Sequence, residues 1–128
     1  PKVSVIVPCY NEQETICLLL DAIYAQNFPR SQIEVILSDG MSTDQTRHRV
    51  HSFQEQHPDL AVRIVDNPLR IIPSALNRAI NISQGDVILR LDAHSVPAPD
   101  YIQRCHALLQ AGLGDNVGGV WHIRPGNN

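Results

Sequence analysis

Cysteines, aromatic residues and long apolar runs are all scarce in this chain of 128 residues. Its three cysteines, Cys9, Cys17 and Cys105, are an odd number without paired spacing, which argues against a disulfide framework. We therefore expect reduced, mostly buried thiols and a cytoplasmic setting. No apolar run approaches the length of a transmembrane helix, and a net charge of −3 gives no indication of a general nucleic-acid or membrane surface.

Three widespread functional motifs are also missing. The chain has no G-x-x-x-x-G-K-[ST] loop, which argues against nucleotide hydrolysis of the P-loop type. No G-x-G-x-x-G follows the first apolar run, where Pro8 has no backbone N–H to offer a phosphate, so an ordinary dinucleotide site is not expected. No G-x-S-x-G elbow is present, which excludes an esterase of the α/β-hydrolase type.

Hydrophobic residues make up 43% of the chain and occur in short periodic segments typical of one globular domain. Apolar runs predict five strands, at Val3–Val7, Ile33–Leu37, Ala61–Val65, Val87–Leu91 and Val117–His122. Helical spacing of apolar residues predicts a helix between each two successive strands. This alternation predicts an α/β fold in which a mostly parallel, twisted sheet is covered by helices on both faces.

Capping and breaking residues predict the helix boundaries. Asn11 with Glu14 forms a capping-box pattern at the start of the first helix. Ser42 with Gln45 forms a second such pattern before the next helix. The fourth helix is expected to end at Gly112 and to turn four residues towards the core, namely Ile102, Cys105, Leu108 and Leu109.

Polar residues follow four of the predicted strands at their carboxyl ends. They are Asn11 and Glu12, then Asp39, then Asp66 and Asn67, and then Asp92 and His94. Ligands of open parallel sheets bind outside the carboxyl ends of the strands, so we expect these groups to share one edge. An acidic edge repels an anion unless a divalent cation is present. The sequence therefore predicts either a bare metal site or a site for a metal-bridged phosphate compound.

Asp92 and His94 are separated by one residue at the end of the fourth predicted strand. Side chains alternate along an extended backbone, so these two point the same way and could converge on one cation. A carboxylate with an imidazole suits Mn²⁺ or a similar borderline metal better than Ca²⁺. The alternative is that both side chains merely solvate a loop.

Four segments of the chain then occur in a recognisable order. They are Val5–Glu12, Ser38–Asp44 (S-D-G-M-S-T-D), Ala75–Ile80 (A-L-N-R-A-I), and Gly85–Ser95 followed by Pro99–Tyr101. Together they resemble the opening strand, the D-D-G-S-x-D loop, the A-x-N-x-G/A-I helix and the G-D-x-I-x-x-L-D-A-D-D…P-D segment of family 2 glycosyltransferases. The Asp-Ala-His form after Arg90-Leu91 is most similar to the bacterial exopolysaccharide branch that includes succinoglycan glucosyltransferases.

The resemblance implies a Rossmann-like GT-A fold in which residues 1–128 form a single donor-binding domain, the N-terminal part of a longer enzyme. It implies transfer of a sugar from a nucleotide-sugar, with a UDP-sugar preferred, to a glycan or lipid-linked acceptor in polysaccharide biosynthesis. The reaction would be inverting and assisted by Mn²⁺ or Mg²⁺. The catalytic base is expected beyond residue 128, and the longer protein is compatible with a place at the inner face of the cell membrane.

The resemblance also implies roles for matching positions. The nucleotide-sugar would be bound by Pro8, Asn11, Glu12, Asp39, Asn77 and Asp92, and the metal by Asp92 and His94. Asp39 would accept a hydrogen bond from the base. Ser38 departs from the family pattern because it replaces the first acid of the D-D-G pair. His94 replaces the second acid of the D-x-D motif, and a neutral imidazole supplies no charge, so metal affinity should be weaker and should fall at acid pH.

Two other functions stay open at this point. A non-catalytic nucleotide-binding or assembly module would explain the loss of the second acid at His94. A nucleotidyltransferase on a similar sheet is less compatible, because no glycine-rich triphosphate loop follows the first strand. Single residues also have simpler explanations: Asp39 precedes a glycine as in many turns, and Arg70 resembles an ordinary exposed loop arginine.

Overall fold

Strands and helices alternate along the chain, as the sequence predicts. The computed structural model describes residues 1–111, 116–117 and 120–122. The strands are β1 (Val3–Cys9), β2 (Ile33–Asp39), β3 (Ala61–Asp66), β4 (Val87–Arg90), β5 (Asn116–Val117) and β6 (Val120–His122). The helices are α1 (Ile16–Tyr24), α2 (Thr46–Gln56), α3 (Ile72–Ile82) and α4 (Tyr101–Gln110), with a short 3-10 turn at Arg30–Gln32.

The strands form one sheet in the order β3-β2-β1-β4-β6-β5. β1 to β4 are mutually parallel, whereas β6 is antiparallel to β4 and β5 is antiparallel to β6. The prediction of a mostly parallel sheet is confirmed. The prediction of one strand over Val117–His122 is wrong, because two short strands stand there. They follow each other too closely for the crossover that a parallel pair requires, so they pair antiparallel.

Helices cover both faces of the sheet, which confirms the layered architecture. Val3, Val5 and Val7 of β1 pack in one apolar cluster that includes buried residues of α1, α2 and α4. Ile6, between them, joins a second cluster with Ala79 of α3. Because both faces are buried, β1 and β2 lack the alternation of apolar and polar residues that marks a half-exposed strand.

Both predicted capping boxes are wrong. The first helix begins at Ile16 and the second at Thr46, so Asn11 and Ser42 lie several residues before the helices they were expected to cap. Instead, Asn11 and Ser42 hydrogen-bond to each other across two loops, the Asn11 N–H donating to Ser42 Oγ at 2.8 Å. This partner is 31 residues away in the chain. A local pattern therefore gave no sign of it.

The fourth helix differs from its prediction at one position. Ile102, Cys105 and Leu109 are buried as predicted, but Leu108 is 38% exposed, so its predicted place in the core is wrong. The helix ends at Gln110, and Gly112, which was expected to end it, lies outside the described residues. Cys9 and Cys105 are buried and Cys17 is half-buried, in agreement with the expectation of mostly buried thiols.

The carboxyl ends of the first three strands lie at one level. Cys9 is aligned with Asp39 on the neighbouring strand, and Asp39 is aligned in turn with Asp66. The loops that follow these strands therefore begin side by side. This alignment produces the edge on which the candidate site is built.

Candidate functional site

A cleft of about 230 Å³ opens at the carboxyl edge of the parallel strands. Each of the four parallel strands, or the loop after it, contributes to its lining. Four of the site residues predicted from the sequence line this cleft, namely Pro8, Glu12, Asp92 and His94. Of the polar groups predicted to share this edge, Glu12, Asn67, Asp92 and His94 line the cleft, whereas Asn11, Asp39 and Asp66 do not.

Asn11, Asp39 and Asn77 are predicted site residues that do not line the cleft. Asn77 is exposed on α3, and no contact of its side chain with the cleft is present. Asn11 is exposed beside the cleft, and Asp39 is buried beneath it. Their direct contacts with a nucleotide-sugar stay predictions.

Asp92 and His94 are both exposed and line the same cleft, as predicted, but not for the predicted reason. β4 ends at Arg90, and the Ser95 N–H donates to the Asp92 carbonyl at 3.0 Å in a turn, so the backbone that carries the two side chains is not extended. The Asp92 side chain is 54% exposed, and its nearest cation is Arg90, whose Nη2 lies 3.5 Å from Asp92 Oδ1. An exposed pair of this length contributes little to stability. Because its side chain is more than half exposed, the carboxylate of Asp92 is accessible to a ligand.

The donor set at this position fits a cation that is shared with a substrate. Among the described residues, no group of three or more His, Cys, Asp and Glu side chains could hold a metal ion. Mg²⁺ at nucleotide sites is usually held by one or two carboxylates together with substrate phosphates and water, and imidazole extends the set to Mn²⁺. Asp92 and His94 have the side-chain types that such a set requires, and their binding of a metal stays a prediction.

Asp39 lies at the end of β2 with its carboxylate enclosed by the protein. Its side chain is 1% exposed and accepts hydrogen bonds from the Ser42 N–H at 2.9 Å, from Ser42 Oγ at 2.5 Å and from Arg47 Nε at 2.7 Å. Burial alone would raise the pKa of Asp39, but these hydrogen bonds and the charge of Arg47 outweigh it and lower the pKa. A nucleobase could donate a hydrogen bond to this carboxylate only if Ser42 or Arg47 gave up its own hydrogen bond to Asp39.

The loop after β1 is locked to the loop after β2 by hydrogen bonds in both directions. Asn11 Oδ1 accepts from the N–H groups of Thr43 and Asp44 at 2.8 and 3.3 Å. The Glu12 N–H donates to Thr46 Oγ1 at 2.8 Å. Asn11 has a φ of 50°, a left-handed conformation that asparagine tolerates better than most residues. Asn11 thus shapes the loop that presents Glu12 to the cleft.

Sequence reasoning missed Tyr10 as a site residue and treated Arg70 as an ordinary loop residue. Both line the cleft, Tyr10 is 44% exposed, and the Arg70 guanidinium lies 5.5 Å from the centre of the tyrosine ring. Asn67, which is buried, accepts from the Arg70 N–H at 3.1 Å and so fixes the turn that carries this arginine. A tyrosine placed directly after a buried strand was the available signal.

Ser38 also lines the site, although no role of its own was predicted for it from the sequence. It lies at the end of β2 beside Pro8 of β1, it is 1% exposed, and it lines the cleft. Within the described part of the chain, Ser38 Oγ is a buried side-chain oxygen without a hydrogen-bond partner. Such atoms are rare, because each costs about 1–3 kcal/mol when water is lost and not replaced.

Comparison with known proteins agrees with this geometry. The family described as "Glycosyl transferase family 2" matches residues 4–128. The succinoglycan biosynthesis protein ExoA of Rhizobium meliloti is 34% identical over 102 residues, which are 78% of this chain and 30% of that protein. The chain spans about a third of the length of the curated relatives it matches.

Two solved structures show the same fold. The mannosyltransferase PcManGT of Pyrobaculum calidifontis, in complex with GDP-Man and Mn²⁺, has a TM-score of 0.81 and 40% identity over 85% of this chain and 32% of its own. TarS 1-349 of Staphylococcus aureus, in complex with UDP-GlcNAc, has a TM-score of 0.79 and 26% identity over 90% of this chain and 33% of its own.

The fold and the edge site thus define a GT-A glycosyltransferase domain. The chain belongs to glycosyl transferase family 2. The resemblance found in the four sequence segments is confirmed.

Proposed function

We propose that this chain is the donor-binding domain of a longer glycosyltransferase that uses a nucleotide-sugar, preferentially a UDP-sugar. The acceptor would be a glycan or a lipid-linked sugar in polysaccharide biosynthesis. The observation that carries the proposal is that Asp92 and His94 open into the same cleft as the exposed ring of Tyr10. Bound nucleotide-sugars in TarS and in PcManGT support it.

The cleft has two chemically different ends. Ser38 on β2 and Asp92 after β4 are separated by the width of two strand spacings, about 10 Å. Tyr10 and Arg70 at the first end would hold the base by stacking and by charge. Asp92 and His94 at the other end would face the ribose and the diphosphate.

Sugar transfer would proceed by in-line displacement at the anomeric carbon with inversion. A divalent cation held by Asp92 and His94 would supply Lewis-acid stabilisation of the departing nucleoside diphosphate. The chain's own residues orient the donor, Tyr10 through its ring and Asp92 through its carboxylate. The base that deprotonates the acceptor hydroxyl is proposed to come from residues beyond 128.

Calorimetry with UDP, in the presence and absence of Mn²⁺, tests this proposal. We expect Mn²⁺ to tighten UDP binding by about tenfold or more in the wild type, and Asp92→Ala to remove that gain. Asp100→Ala is the matched control, because Asp100 pairs with Arg104 on the surface and does not line the cleft. Binding that ignores Mn²⁺ and survives Asp92→Ala unchanged would count against the proposal.

A second candidate, a non-catalytic nucleotide-binding or assembly module, is favoured by one observation. In the loop after β4 the cleft is lined by the carboxylate of Asp92 and the imidazole of His94, where the family pattern has two acids. Such a module would bind UDP but transfer nothing. Sugar transfer or donor hydrolysis by the full-length protein would eliminate this candidate.

A place in the cytoplasm, with the longer protein at the inner face of the cell membrane, remains part of the proposal. No helix among the described residues is long and apolar enough to cross a bilayer. Fractionation of cells that express either the full-length protein or residues 1–128 alone tests it. Recovery of the full-length protein with the membranes would support the proposal, and its recovery only outside the cell would contradict it.

A further inference from the structure

Ser38 is unusual because its hydroxyl is buried, has no hydrogen-bond partner in the described part of the chain, and belongs to a residue that borders the cleft. A buried hydroxyl without a partner is destabilising, so a fold that keeps one invites an explanation. The neighbouring strands offer no partner beside it, because the residues aligned with Ser38 are Pro8 on β1 and Val65 on β3, neither of which has a polar side chain. The open side of Ser38 is the cleft itself.

The surroundings of Ser38 indicate which part of a nucleotide would meet it. Tyr10, Gly40, Asn67 and Arg70 line the cleft near Ser38, so a planar group there would meet an aromatic ring, an amide and a guanidinium. The carboxylate and imidazole that suit a metal-bound diphosphate lie two strands away, after β4. The Tyr10 ring gives a nucleobase a face to stack on, which a phosphate cannot use, so the base is expected at this end.

From this placement we infer that the Ser38 hydroxyl donates a hydrogen bond to a carbonyl oxygen of the nucleobase and so helps to select the donor. The inference rests on the proposed function, since it assumes a nucleotide in this cleft. A serine hydroxyl can donate to a base carbonyl, whereas the ionised acid of the usual D-D-G pair can only accept. The replacement of that acid by Ser38 therefore changes what this position can recognise.

The test compares two buried serines on the same face of the sheet. Ser38→Ala removes an unpaired hydroxyl, so its thermal midpoint should equal or exceed that of the wild type. Ser4→Ala is the matched control, because Ser4 Oγ donates to Glu34 Oε2 at 2.6 Å and accepts from the Gly85 N–H at 2.8 Å. Ser4→Ala should lower the midpoint and leave the UDP affinity of the folded protein unchanged.

Calorimetry then measures UDP and inorganic pyrophosphate binding in the presence of Mn²⁺. Ser38→Ala should weaken UDP binding about three- to tenfold and should leave pyrophosphate binding unchanged, because pyrophosphate has no base. This combination of equal or higher stability with weaker nucleotide binding is not expected from a purely structural residue. Ser38→Cys keeps a weak donor of similar size, so its UDP affinity should lie between those of the wild type and Ser38→Ala.

Three outcomes would overturn the inference. If Ser38→Ala binds UDP as tightly as the wild type does, the proposed contact does not exist. If its affinity for UDP and its affinity for pyrophosphate fall equally, Ser38 contacts the phosphates and not the base. A lower thermal midpoint in Ser38→Ala would show that the hydroxyl has a structural partner. A wild-type protein that binds neither UDP nor GDP would instead defeat the proposed function on which the inference rests.

Discussion

Each end of the β1–β2 pair carries one buried serine on the same face of the sheet, but the two serines differ in their hydrogen bonds. At the amino end, Ser4 is aligned with Glu34, and each has a hydrogen-bond partner. At the carboxyl end, Pro8 is aligned with Ser38, whose hydroxyl has no partner among the described residues. The serine at the amino edge therefore helps to hold the fold together, whereas the serine at the carboxyl edge keeps a hydrogen-bonding group that the fold does not use.

Glu34 shows how fully the polar groups at the amino edge are hydrogen-bonded. Its side chain is 6% exposed and accepts hydrogen bonds from Ser4 Oγ, from the Gln84 N–H and, at 3.1 Å, from Arg63 Nη2. Arg63 also donates to the carbonyl of Ile82 at the end of α3. One carboxylate thus joins β1, β2, β3 and the segment that leads into β4. By contrast, the carboxylate of Asp92 at the other edge is more than half exposed.

The largest effect on stability is expected for Glu34→Ala. It leaves the buried Ser4 hydroxyl and the partly buried Gln84 N–H without their acceptor, so the free energy of unfolding should fall by roughly 3 kcal/mol in urea denaturation. The control is Glu14→Ala, because Glu14 is exposed and should change stability by less than about 0.5 kcal/mol. If Glu34→Ala lowers the free energy of unfolding no more than Glu14→Ala does, the hydrogen bonds of Glu34 do not hold the amino edge together.

The next largest effect contrasts two glycines, one at each edge. A Cβ at Gly85 would lie 2.7 Å from the backbone nitrogen of Ser4, so Gly85→Ala should cost about 2 kcal/mol of unfolding free energy. At Gly40 a Cβ would come no closer than 3.4 Å, to the ring of Tyr10. Gly40→Ala should therefore leave thermal stability nearly unchanged. Equal destabilisation by both substitutions would contradict the difference between the edges.

Much of the fold could be predicted because it depends on local sequence. The apolar runs of β1 and β2 and the helical spacing of α1 identify their elements without knowledge of any distant partner. The helix starts could not be predicted in this way. Asn11 resembles a cap, but its side chain meets Thr43, 32 residues further on, and that long-range contact decides its role. The antiparallel β5–β6 pair was likewise hidden within one apolar run.

The candidate site could be predicted where it depends on strand ends. Asp92 and His94 follow a strand whose end was recognisable, and both line the cleft. The enclosure of Asp39 by Arg47 could not be read from the sequence, because the turn between them leaves many directions open to a long side chain. The role inferred for Ser38 rests on the burial of its hydroxyl and on the lack of a partner among the described residues, which only the folded structure reveals.

A smaller effect is expected at the carboxyl edge, on binding and not on stability. Tyr10→Ala should weaken UDP binding by about tenfold, because stacking of a base on an aromatic ring contributes roughly 1–3 kcal/mol. Its thermal midpoint should stay close to that of the wild type, since the ring is 44% exposed. Tyr10→Phe keeps the stacking surface and should bind UDP nearly as well. If Phe and Ala weaken binding equally, the hydroxyl and not the ring carries the contact.

The smallest effect is expected from acid, because protonation of Glu34 removes its charge but leaves its side chain in place. Burial alone would raise the pKa of Glu34, but the bonds from Ser4, Gln84 and Arg63 outweigh it and lower the pKa. The stabilisation is therefore complete above the unfolded value of about 4.3 and is lost as the pH falls through the lower folded-state value.

Urea denaturation of wild type and Glu34→Gln across the acid range isolates this contribution. The difference in unfolding free energy between the two proteins should be constant from about pH 7 to pH 5 and should shrink below that range. Asp39, whose pKa is also lowered, is present in both proteins, so its own acid sensitivity cancels in the difference. A difference that grows on acidification would mean that Glu34 binds its proton more tightly in the folded state. The amino edge would then hold a strained carboxylate, and its contrast with the carboxyl edge would disappear.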